Sequence, residues 1–317
     1  MRAGDADSIV RSVHALNSMD IAVIQHEFGI FGGTDGNEVL ALMRGLRVPS
    51  IVVLHTVVTR PTAHQKMVFI ELCRRASAIV TMSMVARNQL VAGYPVDPRK
   101  VFIVPHGARD FSMRTKAANV APPLILTWGL MGPGKGIEWA IEAMNLLRDL
   151  KPTPRYVIAG RTHPKVFERD HEAYREGLQR RINELNLTES VRLEADYLNN
   201  RALDELIASS SIVLLPYDST EQVTSGVLIE AISARRPIVA TRFPHAVELL
   251  SGNVGALVPH RDPVALAAAL REIIEKPEVA AAMTRRTSAI ASELLWSSVA
   301  AKYVQLGARL VRSMAIA

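Results

Sequence analysis

Short apolar runs recur at intervals of about 25 to 30 residues, and most are followed by a turn and a stretch with helical spacing. Runs of this kind are typical of strands that are buried on both faces of a sheet. Strands that alternate with helices predict a parallel, doubly wound α/β fold. The predicted strands are Ile21–Ile24, Val48–Leu54, Ser77–Met82, Val101–Val104, Leu124–Trp128, Arg155–Ala159, Val191–Leu193, Ser211–Leu215, Ile238–Thr241 and Ala256–Val258.

The predicted strands fall into two series. Between them lies Ser112–Pro123, which contains several small residues and a Pro-Pro pair and is the best candidate for a linker. A chain of 317 residues is also long enough for about two domains. We therefore predict a first domain over residues 1–117, a second over residues 118–295, and a last helix within residues 296–317.

The loop after the strand Ser211–Leu215 carries the main functional signal. It occupies the carboxyl end of a strand in a βαβ unit, where ligands of open parallel sheets bind. Thr224 or Ser225 is expected to cap the next helix, so that its first N–H groups face an anion. These N–H groups belong to Gly226, Val227 and Leu228.

Glu230 lies about one turn further into the same predicted helix. Its carboxylate can accept hydrogen bonds from hydroxyl groups of a ligand whose anionic part sits at the helix start. An anion site beside a hydroxyl acceptor suits a sugar nucleotide, with the diphosphate on the amides and the ribose or hexose on the acid.

A second loop, Gly129–Gly136, connects a predicted strand to the predicted helix Ile137–Leu150. Glycines here, including Gly132 and Gly134, let the backbone approach a phosphate. Lys135, near the helix start, supplies a positive charge. A plain strand-to-helix turn has a similar composition, so a purely structural interpretation stays open.

Several other polar side chains follow predicted strands. Arg161 is a candidate for a further phosphate or base contact, the alternative being an ordinary surface arginine. His55 ends a first-domain strand, His26 and Glu27 are candidates for an acceptor contact, and His106 is better explained by packing in a turn.

The composition narrows the classes of partner. Only 5% of the residues are aromatic and no Lys/Arg run is interleaved with them, so a nucleic-acid partner is not expected. The net charge of +6 is explained by an ordinary soluble basic protein, and attraction to nucleotide phosphates or an anionic membrane surface is the functional alternative. A single cysteine fits a reducing compartment, and neither a signal peptide nor an apolar run of ~18 residues is found. We expect a cytoplasmic protein and leave peripheral membrane contact open.

The motifs resemble the donor site of the retaining glycosyltransferases of family four, which have the GT-B fold. Those enzymes carry Glu-x7-Glu followed by a Pro-Val-Val-Ala-like strand, and Glu230 matches the second glutamate. Lys135 and Gly136 match the end of the family's Gly-Arg-x-x-x-x-Lys-Gly element. The resemblance is strong over about residues 120–300 and fair over 20–110.

The chain departs from the family pattern at three places. Gln222 replaces the first glutamate, and Leu130 replaces the arginine, for which Arg161 is a candidate substitute. The family's first strand and glycine-rich loop have no counterpart here, so an N-terminally shortened chain is expected.

The resemblance implies two Rossmann-like domains facing a cleft, the first incomplete, with a closing helix that returns to the first domain. It implies transfer of a hexose from a nucleoside-diphosphate sugar to an unknown sugar, lipid or small-molecule acceptor, with retention and without metal or cofactor. The implied catalytic residues are His55, Lys135 and Gln222. The implied donor-binding residues are Gly132, Gly134, Arg161, Ser225, Gly226, Val227, Leu228 and Glu230.

The same residues leave other functions open. Leu130, Gln222 and the missing front loop favour a catalytically inert sugar-nucleotide-binding or interaction protein, and a sugar phosphorylase or epimerase is a further alternative on this fold. A metal site is not predicted, because neither His-Glu-x-x-His nor a cysteine cluster is present and Asp5-Ala6-Asp7 precedes any strand. A dehydrogenase is disfavoured because no Gly-x-Gly-x-x-Gly opens either half.

Overall fold

The structure, a computed structural model, describes residues 1–111, 122–194 and 198–316. The chain forms two units, one made of Met1–His106 together with the chain from Ser297 onward, and one made of Gly107–Trp296. The predicted boundary between residues 117 and 118 lies outside the described residues. Residues 107–111 belong to the second unit.

The first unit contains a parallel sheet whose order β1-β2-β3-β4 follows the chain. Every residue of β2 and β3 is buried, as expected for strands covered on both faces. In the register, Val52 lies opposite Ile24 on one side and Ile79 on the other. The strands are β1 (Ala22–His26), β2 (Ser50–Leu54), β3 (Ala78–Thr81) and β4 (Val101–Ile103).

Helices connect these strands: α1 (Ala6–Asn17), α2 (Val39–Gly45), α3 (Ala63–Arg75) and α4 (Met84–Gly93). Thr62 and Gln65 form a capping box at the start of α3, and Ser83 accepts a hydrogen bond from the Ala86 N–H at the start of α4. Helical spacing in the sequence predicts a helix from about Asp35 to Gly45. The helix begins only at Val39, because Asp35 has a φ of 52° within a short 3₁₀ turn, Thr34–Gly36.

The second unit contains a six-stranded parallel sheet of order β10-β9-β8-β5-β6-β7. Its strands are β5 (Leu124–Trp128), β6 (Arg155–Ala159), β7 (Val191–Glu194), β8 (Ile212–Leu215), β9 (Ile238–Thr241) and β10 (Ala256–Val258). The strand order reverses between β5 and β8, so the loops that follow these two strands lie side by side. The predicted parallel-sheet α/β architecture is confirmed in both units.

Eight helices are described in the second unit: α5 (Ile137–Asn145), α6 (Pro164–Asp170), α7 (Ala173–Glu184), α8 (Asn200–Ser209), α9 (Gly226–Ser233), α10 (Pro244–Leu250), α11 (Pro263–Glu275) and α12 (Pro277–Ala291). They cover both faces of the sheet and create two apolar clusters, one containing Ile125 and Leu214, the other Leu126 and Leu215. The helix predicted to reach Leu150 ends at Asn145.

Helical spacing in the sequence predicts that the last helix ends at Val311, and the observed helix, α13 (Trp296–Ile316), extends beyond that residue. From Ser297 onward it belongs to the first unit, where Val299 and Leu306 pack in one cluster with Ile51 and Val80. Within the described ranges, the structure contains no helix with the length and apolar character needed to cross a bilayer.

Candidate functional site

The loop after β8 ends at a capped helix start. Ser225 accepts a hydrogen bond from the Leu228 N–H at 3.2 Å through its side chain and one from the Ile229 N–H at 3.3 Å through its carbonyl. Among the described residues, the N–H groups of Gly226 and Val227 have no hydrogen-bond acceptor. The prediction that Ser225 caps the helix is confirmed. The expectation of a free Leu228 N–H is wrong, because the cap itself occupies that donor.

Glu230 lies in the second turn of α9 and is partly buried. Its Oε2 accepts a hydrogen bond from the Trp128 indole N–H at 3.0 Å, and its Oε1 lies 3.4 Å from Nη2 of Arg109. These contacts hold the carboxylate in one orientation, while each oxygen retains a further lone pair for a hydroxyl donor.

Arg109 connects Glu230 to a second acid. Its Nη1 lies 2.7 Å from Oδ1 of Asp204 on α8, and its carbonyl accepts a hydrogen bond from the Ser233 hydroxyl at 2.5 Å. The Arg109 side chain is 30% exposed, so the ion pairs are only partly shielded from water. Sequence reasoning missed both Arg109 and Trp128, since their contacts to Glu230 join residues more than 100 positions apart.

The loop after β5 approaches the loop after β8 through a glycine. Gly136 has a φ of +62°, and a Cβ atom there would lie 1.9 Å from the Pro216 carbonyl oxygen. Only glycine fits this position without strain. On the other side of Lys135, the Gly134 carbonyl accepts a hydrogen bond from the Asp218 N–H at 2.9 Å. The two predicted loops therefore lie together, as their motifs indicate.

Lys135 is the cation of this loop pair. Its Nζ lies 4.3 Å from the ring centroid of Tyr217, which is a cation–π contact. Burial lowers the pKa of Lys135 and raises that of the Tyr217 phenol. Sequence reasoning assigned the lysine but not the aromatic ring beneath it.

The loop after β6 packs against the Gly129–Gly136 loop. The Met131 N–H donates to the Arg161 carbonyl and the His163 N–H donates to the Met131 carbonyl, both at 2.8 Å. Arg161 itself is exposed. Gly132 is buried and Gly134 is exposed, so of these two predicted phosphate contacts only Gly134 lies at the surface of the loop.

Gln222 lies at the start of the turn that leads into α9. Its side-chain amide donates to the Thr224 carbonyl at 3.1 Å, and its own carbonyl accepts from the His245 N–H at 3.2 Å. The side chain therefore shapes the turn. Glu248 is exposed on α10.

A separate polar cluster lies in the first unit, where β1 and β2 end. His55 Nε2 lies 2.7 Å from Oε1 of Gln25, and Glu27 accepts hydrogen bonds from the Thr56 hydroxyl and the Phe28 N–H. The pKa of His55 is lowered, first by burial and then by His106, while Glu27 acts in the opposite direction. The lowered pKa of His55 favours the neutral imidazole at neutral pH.

In the described parts of both units, no three histidine, cysteine or acidic side chains come together as metal ligands would. The arrangement in the second unit instead offers two unpaired backbone N–H groups, a lysine and an oriented carboxylate. Such groups can bind an anion joined to a polyol.

Comparison with known proteins agrees with this arrangement. The family model described as "Glycosyl transferases group 1" matches residues 108–289, more than half of the chain. The D-inositol 3-phosphate glycosyltransferase of Streptomyces coelicolor is 26% identical over 244 residues, covering 68% of this chain and 51% of the relative. The glycogen synthase of Mycobacterium tuberculosis is 24% identical over 241 residues, covering 74% and 55%. The chain thus spans about half the length of these curated relatives.

Solved structures share the fold. HepE from Anabaena, crystallised with UDP, has a TM-score of 0.76 at 17% identity, covering 98% of this chain and 83% of that one. The sucrose-phosphate synthase of Thermosynechococcus elongatus has a TM-score of 0.76 at 18% identity, covering 96% and 77%. The two parallel-sheet units have the GT-B fold of these neighbours, and the chain belongs to the group 1 glycosyltransferases.

Proposed function

We propose that this chain transfers a hexose from a nucleoside-diphosphate sugar to an acceptor hydroxyl, with retention at the anomeric carbon and without a metal ion. The acceptor is a sugar, a lipid or a small molecule that carries this hydroxyl. The proposal rests on the Gly226 and Val227 N–H groups at the start of α9, which have no acceptor among the described residues, with Glu230 one turn further on.

The diphosphate is assigned to the start of α9. There the two N–H groups and the helix dipole favour negative charge. Glu230 is assigned to the ribose hydroxyls, because Trp128 and Arg109 already orient its carboxylate. Ser225 and Leu228 support this arrangement by forming the helix cap. Because the Leu228 N–H is occupied by that cap, it makes no direct contact with the diphosphate.

Lys135 is assigned to the charge that develops on the leaving diphosphate. Water is partly excluded around its ammonium group, so attraction to an anion is stronger than at an open surface. An arriving diphosphate also favours the charged form of the lysine and opposes the effect of burial on its pKa. Gly134 and Arg161 are assigned to the outer phosphate and the base.

The proposed reaction needs no covalent intermediate with the protein. The acceptor oxygen attacks the anomeric carbon on the face that the diphosphate leaves, the carbon–oxygen bond to phosphate breaks, and its electron pair stays with the diphosphate. A phosphate oxygen takes the acceptor proton. Stabilisation of the leaving group then supplies most of the rate. His55 and Gln222 are assigned to the hexose, following the family pattern.

Calorimetry and a transfer assay test this proposal. The protein is titrated with UDP and ADP, and a panel of nucleotide sugars is then screened for hydrolysis or transfer, with the anomeric configuration of the product read by NMR. Glu230→Gln should weaken donor binding by ~1–3 kcal/mol, because a charged hydrogen bond is lost. The exposed Glu205→Ala is the matched control.

Lys135→Ala should mainly slow transfer, whereas the exposed Lys276→Ala should not. A Lys135→Ala rate within about twofold of the parent would contradict the assigned role. Nucleotide binding without hydrolysis or transfer of any donor would instead support the inert binding protein, which Leu130 and Gln222 favour. Release of sugar phosphate that depends on added phosphate would indicate a phosphorylase.

A further inference from the structure

One residue holds both ends of the turn that leads into α9. His245 is the second residue of α10 and is 1% exposed. Its backbone N–H donates to the Gln222 carbonyl at 3.2 Å, and its imidazole Nδ1 accepts a hydrogen bond from the Ser225 N–H at 2.9 Å. The turn between these two contacts is only four residues long.

The contact to Ser225 defines the chemistry required of the imidazole. A ring nitrogen that accepts a hydrogen bond carries no proton, so the neutral His245 ring bears its proton on Nε2. Ser225 is 3% exposed, and its N–H therefore cannot turn to bulk water if the acceptor is lost. Leaving such a buried donor unpaired is costly.

The turn determines where α9 begins. Ser225 caps the helix through its hydroxyl, and Gln222 closes the turn from within through its bond to the Thr224 carbonyl. The directions of the Gly226 and Val227 N–H groups follow directly from the position of Ser225. A small displacement of Ser225 therefore moves both anion-binding donors together.

We propose that His245 is a positioning residue of the donor site, which aligns the N–H groups of Gly226 and Val227 with the diphosphate by holding Gln222 and Ser225. His245 acts through Ser225 and is not itself assigned a ligand contact. This inference rests on the proposed function of the α9 site. It goes beyond that function because it assigns an essential role to a side chain of α10 that contacts the turn and not the ligand.

Two substitutions separate the acceptor function from simple packing. In His245→Asn, the side-chain oxygen lies near the position of Nδ1 and can accept the Ser225 hydrogen bond. In His245→Leu, volume and apolar packing are largely kept but the acceptor is lost. Leu250→Ala is the matched control, since Leu250 is fully buried near the other end of α10 and lies outside the turn.

UDP is the probe, and its affinity is measured by calorimetry. We expect His245→Leu to weaken UDP binding by about tenfold or more, from the lost hydrogen bond and the misaligned donors. His245→Asn should bind within about threefold of the parent. Leu250→Ala should lower the unfolding temperature through its cavity yet also bind within about threefold.

Amide hydrogen exchange without ligand gives a second readout. His245→Leu should speed exchange in a peptide that spans residues 222–230, and His245→Asn should not. Unchanged UDP affinity in His245→Leu, an equal loss in His245→Asn, or an equal loss in Leu250→Ala would each overturn this inference while leaving the proposed function intact. Failure of the unsubstituted protein to bind any nucleoside diphosphate would overturn both.

Discussion

Acid should destabilise the first unit through a single buried histidine. His26 is 0% exposed at the end of β1, and its ring lies among those of Phe28, Phe31 and Phe69, with centroids 5.1, 6.4 and 5.9 Å away. Neither ring nitrogen has a hydrogen-bond partner within the described chain. Burial, and secondarily His55, lowers the pKa of His26 from 6.5 to about 4.

The sign of the effect follows from proton binding. Between pH 6.5 and about 4 the unfolded chain holds a proton on residue 26 that the native chain lacks, so the free energy of unfolding falls as the pH falls. The full loss is ~3 kcal/mol once the pH is below both pKa values, and about 2 kcal/mol is lost by pH 5. A loss of this size is a substantial part of ordinary domain stability.

Urea unfolding at pH 7.5, 6 and 5 measures this loss. Circular dichroism follows both units, and fluorescence reports the second unit, because all three tryptophans, Trp128, Trp139 and Trp296, belong to it. His26→Phe removes the titrating group from its aromatic surroundings. The free energy of unfolding lost between pH 7.5 and pH 5 should therefore be smaller in this variant by about 2 kcal/mol. The exposed His14→Gln is the control in the same unit.

Other carboxylates and histidines titrate over the same range, so the difference between parent and variant is the informative quantity. An identical pH dependence in the parent and in His26→Phe would refute the reasoning. A loss confined to the tryptophan signal would refute it as well, since it would place the acid-sensitive group in the other unit.

Two further predictions concern single positions. Gly136→Ala should lower the free energy of unfolding by ~2 kcal/mol or more, because the new Cβ meets the Pro216 carbonyl at a positive φ. At Gly177, inside α7, an added Cβ would lie at an ordinary contact distance of 3.8 Å from Nη2 of Arg180. Gly177→Ala should therefore raise the free energy of unfolding by ~0.5–1 kcal/mol, and the opposite order in thermal unfolding would contradict this. Cys73 is buried with its pKa raised to about 12, so a thiol reagent at pH 8 should react quickly only in urea. Rapid labelling of the native chain would show that α3 is not packed as described.

Strands could be predicted from the sequence because those of a parallel sheet are buried on both faces. The predicted bounds of β5, β6 and β9 coincide with the observed ends, since apolar residues dominate each of these strands. The start of α2 could not be predicted this way. The Asp35 side chain forms hydrogen bonds with His64 and Gln65, about 30 positions later, and the Asp35 backbone takes a left-handed conformation. A tertiary contact overrides local helical spacing in this segment.

The same difference between local patterns and tertiary contacts applies to the candidate site. The Ser225 cap depends on its immediate neighbours and could be predicted from local spacing. The partners of Glu230 could not, because Trp128 and Arg109 come from distant elements and have no local motif. His245 lies nearer in the chain, but an imidazole that accepts from a backbone N–H has no spacing rule from which to infer it.

The discontinuous make-up of the first unit bears on the order in which the protein folds during synthesis. Gly107–Trp296 is one continuous segment and can fold as soon as it has left the ribosome. The first unit must wait, because Val299 and Leu306 of its core follow this whole segment in the chain and are translated after it. Until they arrive, the apolar surface around Ile51 and Val80 is open to chaperones, and nascent chains stalled before α13 should be captured through that surface.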